Sequence, residues 1–525
     1  MSRSVLPVAL LFLVSCVAVA CGSEAGGDAP PEPDPDPSGP ADGGPNGTKD
    51  GGSNSTPDAK VTKASCTMES AVTLSVEEQR LANRLPGQST AFAADLLAGT
   101  GFDTFAPDFA KELCQDGVAG AGTFDEAKAL VTAAGTRLWR AAVDRVQGKR
   151  TMGTLPPGDD RMLYWARLTM TKTLRAWAPS FALTEGQKSE LEWEFERASR
   201  GQYDIKLPEG TGHVRIVLSG FDPFTLGEPG ATDDVNIRIG NPSGASALAL
   251  DGYEFPLGNG KTGHIETFML PVNYAPFERG MQEDTLGPWL KPGPARADIA
   301  ITMSQGGGFR FKLEEYNGRF HGTFPGNDDI ITCKASGAQL LPSAEGCSIQ
   351  VPQRWLGYDS LPWKKDQPPQ FVESSLPVDK LIAAKTGTKV PRPPDTQASA
   401  GNAFDVVWGY DYDVFPNCAQ PQVQSLYDPV SNTYPPPGNP APPNAAACAR
   451  SGSGGDYLSN ESAYRATLLR DLLGLKIPVG HIHTPVMTRF QAGNDSAITD
   501  AKFEAYRASI VQQGRLLVEE VAKSL

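Results

Sequence analysis

The chain has 525 residues, with 47 Lys plus Arg against 61 Asp plus Glu, a formal net charge of −14 and a pI near 5.0. That length predicts two or more domains at ~100–200 residues each, and the 40% of hydrophobic residues is enough for a packed core. The acidic balance excludes nucleic acid as a partner, because phosphate binding needs a basic surface.

The N-terminus reads as an export signal. Arg3 supplies a short positive region, Val5 to Val14 an apolar one, and Ala18-Val19-Ala20 precede Cys21. The apolar run is too short for a spanning helix of ~20 residues. A cysteine at the cleavage point predicts a lipoprotein signal over residues 1–21, with lipid on the Cys21 thiol. Leu13-Val14-Ser15 places Cys16 in a similar setting, but Gly22 begins a polar tail at once and favours Cys21. Gly22 in place of an aspartate points to the outer membrane within the cell envelope, and an ordinary secretory signal is the alternative.

Residues 22–62 are rich in Gly, Pro, Asp, Ser and Asn. Such a segment buries too little apolar surface to offset chain entropy and reads as a disordered tether. Residues 63–205 read as mainly helical. Ser75-Val76-Glu77-Glu78 has the form of a capping box, and Thr123 to Val146, Met162 to Trp177 and Glu185 to Arg200 carry apolar residues at helical spacing. Trp139, Trp165, Trp177 and Trp193 are assigned to the core. No catalytic constellation is visible here, and a packing module is the expected role.

From His213 the period changes. Val214 to Gly220 is a β-branched run ending in glycine, which predicts a buried strand. Ile299 to Met303 is a second, running into Ser304-Gln305 and three glycines. Lys476 to Val479 is a third, weakened by Pro478 because proline cannot donate to a sheet ladder. A helix over Asn460 to Leu475 precedes it, and a last amphipathic helix starts near Asp500. Strands alternating with helices predict an α/β fold over 206–525. An irregular insertion occupies about 330–450, where Pro435 to Pro443 holds only Pro, Gly, Asn and Ala.

Two of the eight cysteines lie in the export signal, which leaves Cys66, Cys114, Cys333, Cys347, Cys418 and Cys448. An even number in an oxidising compartment predicts disulfides. Sequential pairing, Cys66 with Cys114, Cys333 with Cys347 and Cys418 with Cys448, keeps each bond within one segment. No cysteine-histidine cluster has zinc spacing, so no metal and no cofactor is expected.

An ordered series of short motifs runs through the second half: Gly220-Phe221-Asp222-Pro223-Phe224, Asn241-Pro242-Ser243, Leu270-Pro271-Val272, Ser304 to Gly308, Leu313-Glu314-Glu315, Pro325-Gly326-Asn327-Asp328, Tyr457-Leu458-Ser459-Asn460 and His481-Ile482-His483-Thr484-Pro485. In this order over residues 214–485 they resemble pyroglutamyl peptidase I. Residues 1–205 and most of 327–450 lie outside the resemblance. It implies an open α/β/α sandwich, a peptide substrate or ligand, and removal of an N-terminal pyroglutamate by a cysteine, a histidine and a glutamate. Matched residue by residue, the histidine is His483, the glutamate is Glu314 or the neighbouring Glu315, and the nucleophile position holds Ser459. Phe221 and Phe224 match the aromatic residues that hold the lactam ring, and Gln305, Tyr457 and Leu458 match other pocket positions.

The chain departs from the family in having serine for cysteine. It also lacks the family's oxyanion arginine, whose place falls near Thr323, with Arg319 matching only after a shift; Gly326 stands where the family has aspartate. Ser459 also reads as a helix N-cap, and His481 as a core or surface residue. Two functions follow: a cell-envelope hydrolase of pyroglutamyl-like amides with a Ser459–His483–Glu314 triad, or a degenerate peptidase that holds a blocked peptide without cutting it.

Overall fold

The computed structural model describes residues 65–258, 260–333, 339–345, 347, 354–356, 368–393, 403–419, 423–425, 441–487 and 489–525. Cys16, Cys21 and the tether lie outside the described residues. Thr62–Leu525 form one compact unit.

The first part of that unit is helical. Ser75 does make a capping box with Glu78, but the helix it starts is only Val76–Gln79 and passes into a tighter turn at Arg80–Ala82. Five longer helices follow: α1 (Phe92–Thr100), α2 (Phe105–Leu113), α3 (Phe124–Val146), α4 (Arg161–Arg175) and α5 (Glu185–Ala198). Ala127, Val131, Ala134, Leu138 and Ala142 recur every three or four residues of α3 and are buried together, the stripe a helix turns toward a core. Trp139, Trp165 and Trp177 join that core. Trp193 does not: it is half-buried, with the Arg197 and Arg279 guanidinium groups over its ring.

The second part is a seven-stranded sheet. Its strands are β1 (His213–Phe221), β2 (Tyr253–Pro256), β3 (Thr262–Leu270), β4 (Ile299–Gln305), β5 (Arg310–Glu314), β6 (Asp405–Gly409) and β7 (Val479–Thr484). They lie in the order β6-β5-β7-β4-β1-β3-β2. The β7-β4-β1-β3 core is parallel, while β2 pairs antiparallel with β3 and β5 antiparallel with β7. The fold is therefore α/β, with helices on both faces: α6 (Pro242–Leu250) and α9 (Ala501–Lys523) on one, α7 (Met281–Leu290) and α8 (Leu458–Leu472) on the other.

Two expectations shift. The strand expected at Lys476 begins at Val479, past Pro478, and runs through both histidines to Thr484. The insertion is not wholly outside the sheet either. Its residues Asp405–Gly409 pair in parallel with β5 as an edge strand, because Val407 and Trp408 bury there. The cysteines pair sequentially, Cys66 with Cys114, Cys333 with Cys347 and Cys418 with Cys448. Among the described residues no helix is long and apolar enough to cross a membrane.

Candidate active site

Strand alternation sorts the site residues. Ile216, Leu218, Ile301, Met303, Leu313 and Ile482 pack against Tyr506 and Ile510 of α9. The residues between them must face the other way. So Val217, Phe221, Ala300 and Val479 meet Leu458, Ala466 and Leu469 of α8, and Thr302, Ser304, Glu314, His481 and His483 share that face. Chain order reverses between β1 and β4, since β3 lies to one side of β1 and β4 to the other. Open α/β sheets bind ligands at such a switch point, beyond the carboxyl ends of the strands.

A small cavity lies there, lined by Phe221 at the end of β1, Phe224 just beyond it, Ser304 and Gln305 of β4, and Tyr457, Leu458 and Ser459 at the start of α8, with Asn241 and Val272. The Phe224 and Tyr457 rings stand 6.5 Å apart, and Phe221 stacks on Phe277 at 6.2 Å. The Gln305 side-chain oxygen accepts from the Met487 amide at 2.9 Å, which leaves its –NH2 as a donor at the cavity. Asn241 caps α6 by accepting from Ser243 and donates to the Asp222 carbonyl at 2.9 Å. Gly220 is required behind the pocket, because a side chain there would collide with the Ser243 carbonyl.

Ser459 does not cap its helix. Tyr457 is the N-cap residue, without a side-chain capping bond, so α8 starts at Leu458 rather than Asn460 and Ser459 is its second residue. The first-turn amides of a helix have no partner within it and favour negative charge. Asn460 holds this end in place, accepting from the Gly318 amide at 2.9 Å and donating to the Gly318 carbonyl at 2.5 Å.

On the neighbouring strands His483 Nδ1 meets Glu314 Oε1 in a close contact. Glu314 is wholly buried. Burial opposes its charge, but the His483 and His481 rings outweigh that cost and hold its carboxyl at about 2. The carboxylate keeps the proton of His483 on Nδ1, so Nε2 is the ring's acceptor. Gly454 must lack a side chain here, since a Cβ would collide with the Glu314 carboxylate. Glu315 is elsewhere: it accepts from Trp408 Nε1 at 2.8 Å, and burial with the nearby Glu373 pushes it up to about 7.

His483 lies opposite Ser304 in the β7–β4 register, beside the cavity that Ser304 and Ser459 line. No hydrogen bond joins Ser459 to His483. Catalytic hydrogen bonds are often long or poorly aligned in free enzymes and tighten around substrate.

His481 is fully buried between two hydroxyls, 2.7 Å from Thr302 Oγ1 and 2.7 Å from Ser304 Oγ. Burial pushes its ring down to about 3 against the pull of Glu314. It stays neutral and is a poor proton acceptor, so Ser304 is an anchored pocket hydroxyl rather than a second nucleophile. Ser304, Asn241 and Val272 are pocket residues that sequence reasoning missed; all three sat inside quoted motifs, and nothing in those motifs separates them from scaffold. Glu314, His481 and His483 have ligand atoms within 4.8 Å of one another. His481 engages both hydroxyls with its two ring nitrogens, and His483 meets Glu314 through Nδ1. Arg319 does not serve the cavity: it donates to the Pro368 carbonyl at 2.7 Å and lies over the Trp355 ring.

The family described as PA0049, C-terminal domain, matches residues 215–488, and PA0049 N-terminal domain matches residues 58–196. The uncharacterized protein PA0049 of Pseudomonas aeruginosa is 49% identical over 510 residues, which cover 89% of this chain and 92% of that protein. The chain belongs to the PA0049 family. Both its helical and its α/β parts are shared with that relative. Among solved structures, a mutant pyrrolidone carboxyl peptidase of Pyrococcus furiosus is 16% identical, covers 59% of this chain and 99% of its own, and superposes with a TM-score of 0.32. The pyroglutamyl peptidase I of Bacillus amyloliquefaciens is likewise 16% identical, over 59% of this chain and 95% of its own, with a TM-score of 0.31.

Proposed function

We propose that the chain is a hydrolase of N-terminal pyroglutamyl or similar amides, with Ser459 as nucleophile, His483 as base and Glu314 as the group that orients the imidazole. The observation that carries this reading is the pair of buried Glu314 and partly exposed His483 beside a cavity that holds both a free hydroxyl and a phenylalanine platform. In the reaction Ser459 Oγ attacks the acyl carbon while its proton passes to His483 Nε2. The first-turn amides of α8 hold the oxyanion in place of the family's arginine, and Gln305 donates to the ring carbonyl. Collapse breaks the C–N bond, the amine leaves with the proton from His483, and water then frees the acyl group by the same route.

A binding module is the second reading, favoured by the missing hydrogen bond between Ser459 and His483. Release of a fluorophore from a pyroglutamyl conjugate by purified protein separates the two. Turnover supports the hydrolase, and tight binding without turnover supports the module. Absence of both overturns the pyroglutamyl reading.

The site works at the cell envelope in this proposal, with the protein lipid-anchored to the outer membrane through Cys21. Labelled palmitate is expected on the wild type and not on Cys21→Ala. Labelling that persists in Cys21→Ala and vanishes in Cys16→Ala moves the anchor to Cys16.

A further inference from the structure

The helical part reaches the chain between the two phenylalanines at Asp222. Asp222 lies between Phe221 and Phe224, and is 1% exposed. Its two carboxylate oxygens are taken by two arginines from outside the sheet. Arg167 of α4 reaches Oδ1 with Nη2 at 2.5 Å, and Arg200, just past α5, reaches Oδ2 with Nη2 at 2.8 Å and Nε at 3.1 Å. Both arginines are buried, and Glu196 on α5 balances their second charge.

The chain beyond Asp222 is held from the same side. Arg80 donates to the Gly227 carbonyl at 2.9 Å and to the Asn327 carbonyl at 2.5 Å. Asn327 in turn donates to the Pro223 carbonyl at 2.8 Å. Asn83 donates to the Glu228 carbonyl at 2.9 Å and accepts from the Gly230 amide at 2.7 Å. A packing module would need only apolar contact with the sheet. Here the two buried arginines, together with Arg80 and Asn83, also place polar contacts on residues 222–230, the loop that carries one ring of the platform.

We infer that the helical part is a working component of the pocket: Arg167 and Arg200 are positioning residues that fix the Phe221–Phe224 platform through Asp222. The ring-holding consequence rests on the reading of the cavity as a pyroglutamyl site; the clamp on the loop does not.

Lysine keeps the charge but loses the planar fork that serves a carboxylate, so Arg167→Lys and Arg200→Lys test the clamp with the least risk to folding. Asp222→Asn tests it from the other side. Arg137→Lys, in an exposed pair with Glu112, is the control and should change nothing. In each clamp variant the amides of 221–230 are expected to exchange with deuterium faster. KM for the pyroglutamyl conjugate should rise about tenfold with kcat within about twofold, the signature of lost ground-state binding. A fall in kcat at constant KM, in step with a lower melting temperature, is a loss of folded enzyme and overturns the inference. Unchanged exchange in 221–230 overturns it as well. If wild type neither binds nor cleaves the conjugate, the pyroglutamyl reading fails; faster exchange in the variants then supports the clamp on its own, and unchanged exchange sinks both.

Discussion

A serine hydroxyl is a weak nucleophile until a base takes its proton, so Ser459 depends on His483 far more than a cysteine would. Ser459→Ala and His483→Ala are each expected to lower release of the fluorophore by on the order of 10³-fold or more, and the double variant to be no worse, because triad members act as a unit. Ser459→Cys should keep or raise the rate, since a helix N-terminus stabilises a thiolate. A double variant clearly slower than either single one would show that the residues act separately. Glu314 adds a pH signature. An ordinary glutamate titrates near ~4.3, and in the fold this one sits at about 2. A depressed carboxyl contributes stability that is fully present above its unfolded value and is lost as pH falls through its folded value. The stability gap between wild type and Glu314→Gln, read from urea unfolding, should thus be widest above about pH 5 and close as pH falls to about 2. A gap that does not change with pH would mean that the carboxyl is not ionised in the folded protein.

At the scale of elements the start of α8 decides whether Ser459 meets the cavity, and Asn460 decides where α8 starts. Its side chain closes both hydrogen bonds of Gly318 in a buried setting. Asn460→Ala leaves a buried amide and carbonyl unpaired, at a cost of about 1–3 kcal/mol. It should lower the melting temperature and, by freeing the helix end, lower kcat more than it raises KM. A variant with reduced stability and unchanged kcat would separate the clasp from the chemistry. This element also marks how much could be read from sequence. The buried strands at Val214 and Ile299 were legible because β-branched runs ending in glycine have few other solutions, and the motifs brought Phe221, Phe224, Gln305, Tyr457, Leu458 and Ser459 to one cavity. The choice between Glu314 and Glu315 was not legible. It depends on strand parity, fixed by Leu313 packing against α9. The edge strand at Asp405 was missed although Val406-Val407-Trp408-Gly409 carries the same β-branched signal, because it lies inside a segment read as an irregular insertion.

Across the whole molecule, the two parts that the sequence separates share a core. Leu226, Ile237, Ala247, Leu248 and Met269 belong by position to the α/β part, yet they cluster with Leu138, Trp139 and Trp165 of the helices. Helix α6 is the joint: one face lies on the sheet and the other receives α3. The buried arginine pairs at Asp222 add a second link, and breaking one partner of such a pair leaves an uncompensated charge. Independent domains would have sparse contacts between them; here one hydrophobic cluster runs across the seam. Leu248 is wholly buried in it, so Leu248→Ala should cost about 2–5 kcal/mol through lost burial and the cavity left behind. If the parts stand or fall together, that cost appears as one calorimetric transition displaced to lower temperature, with tryptophan fluorescence, dominated in the helical part by Trp139, Trp165 and Trp177, moving in step with far-UV dichroism. If they fold separately, the variant resolves into two transitions and the fluorescence melts at a temperature of its own. The first outcome ties platform and helices into one cooperative body; the second leaves the helical part a removable attachment to the sheet.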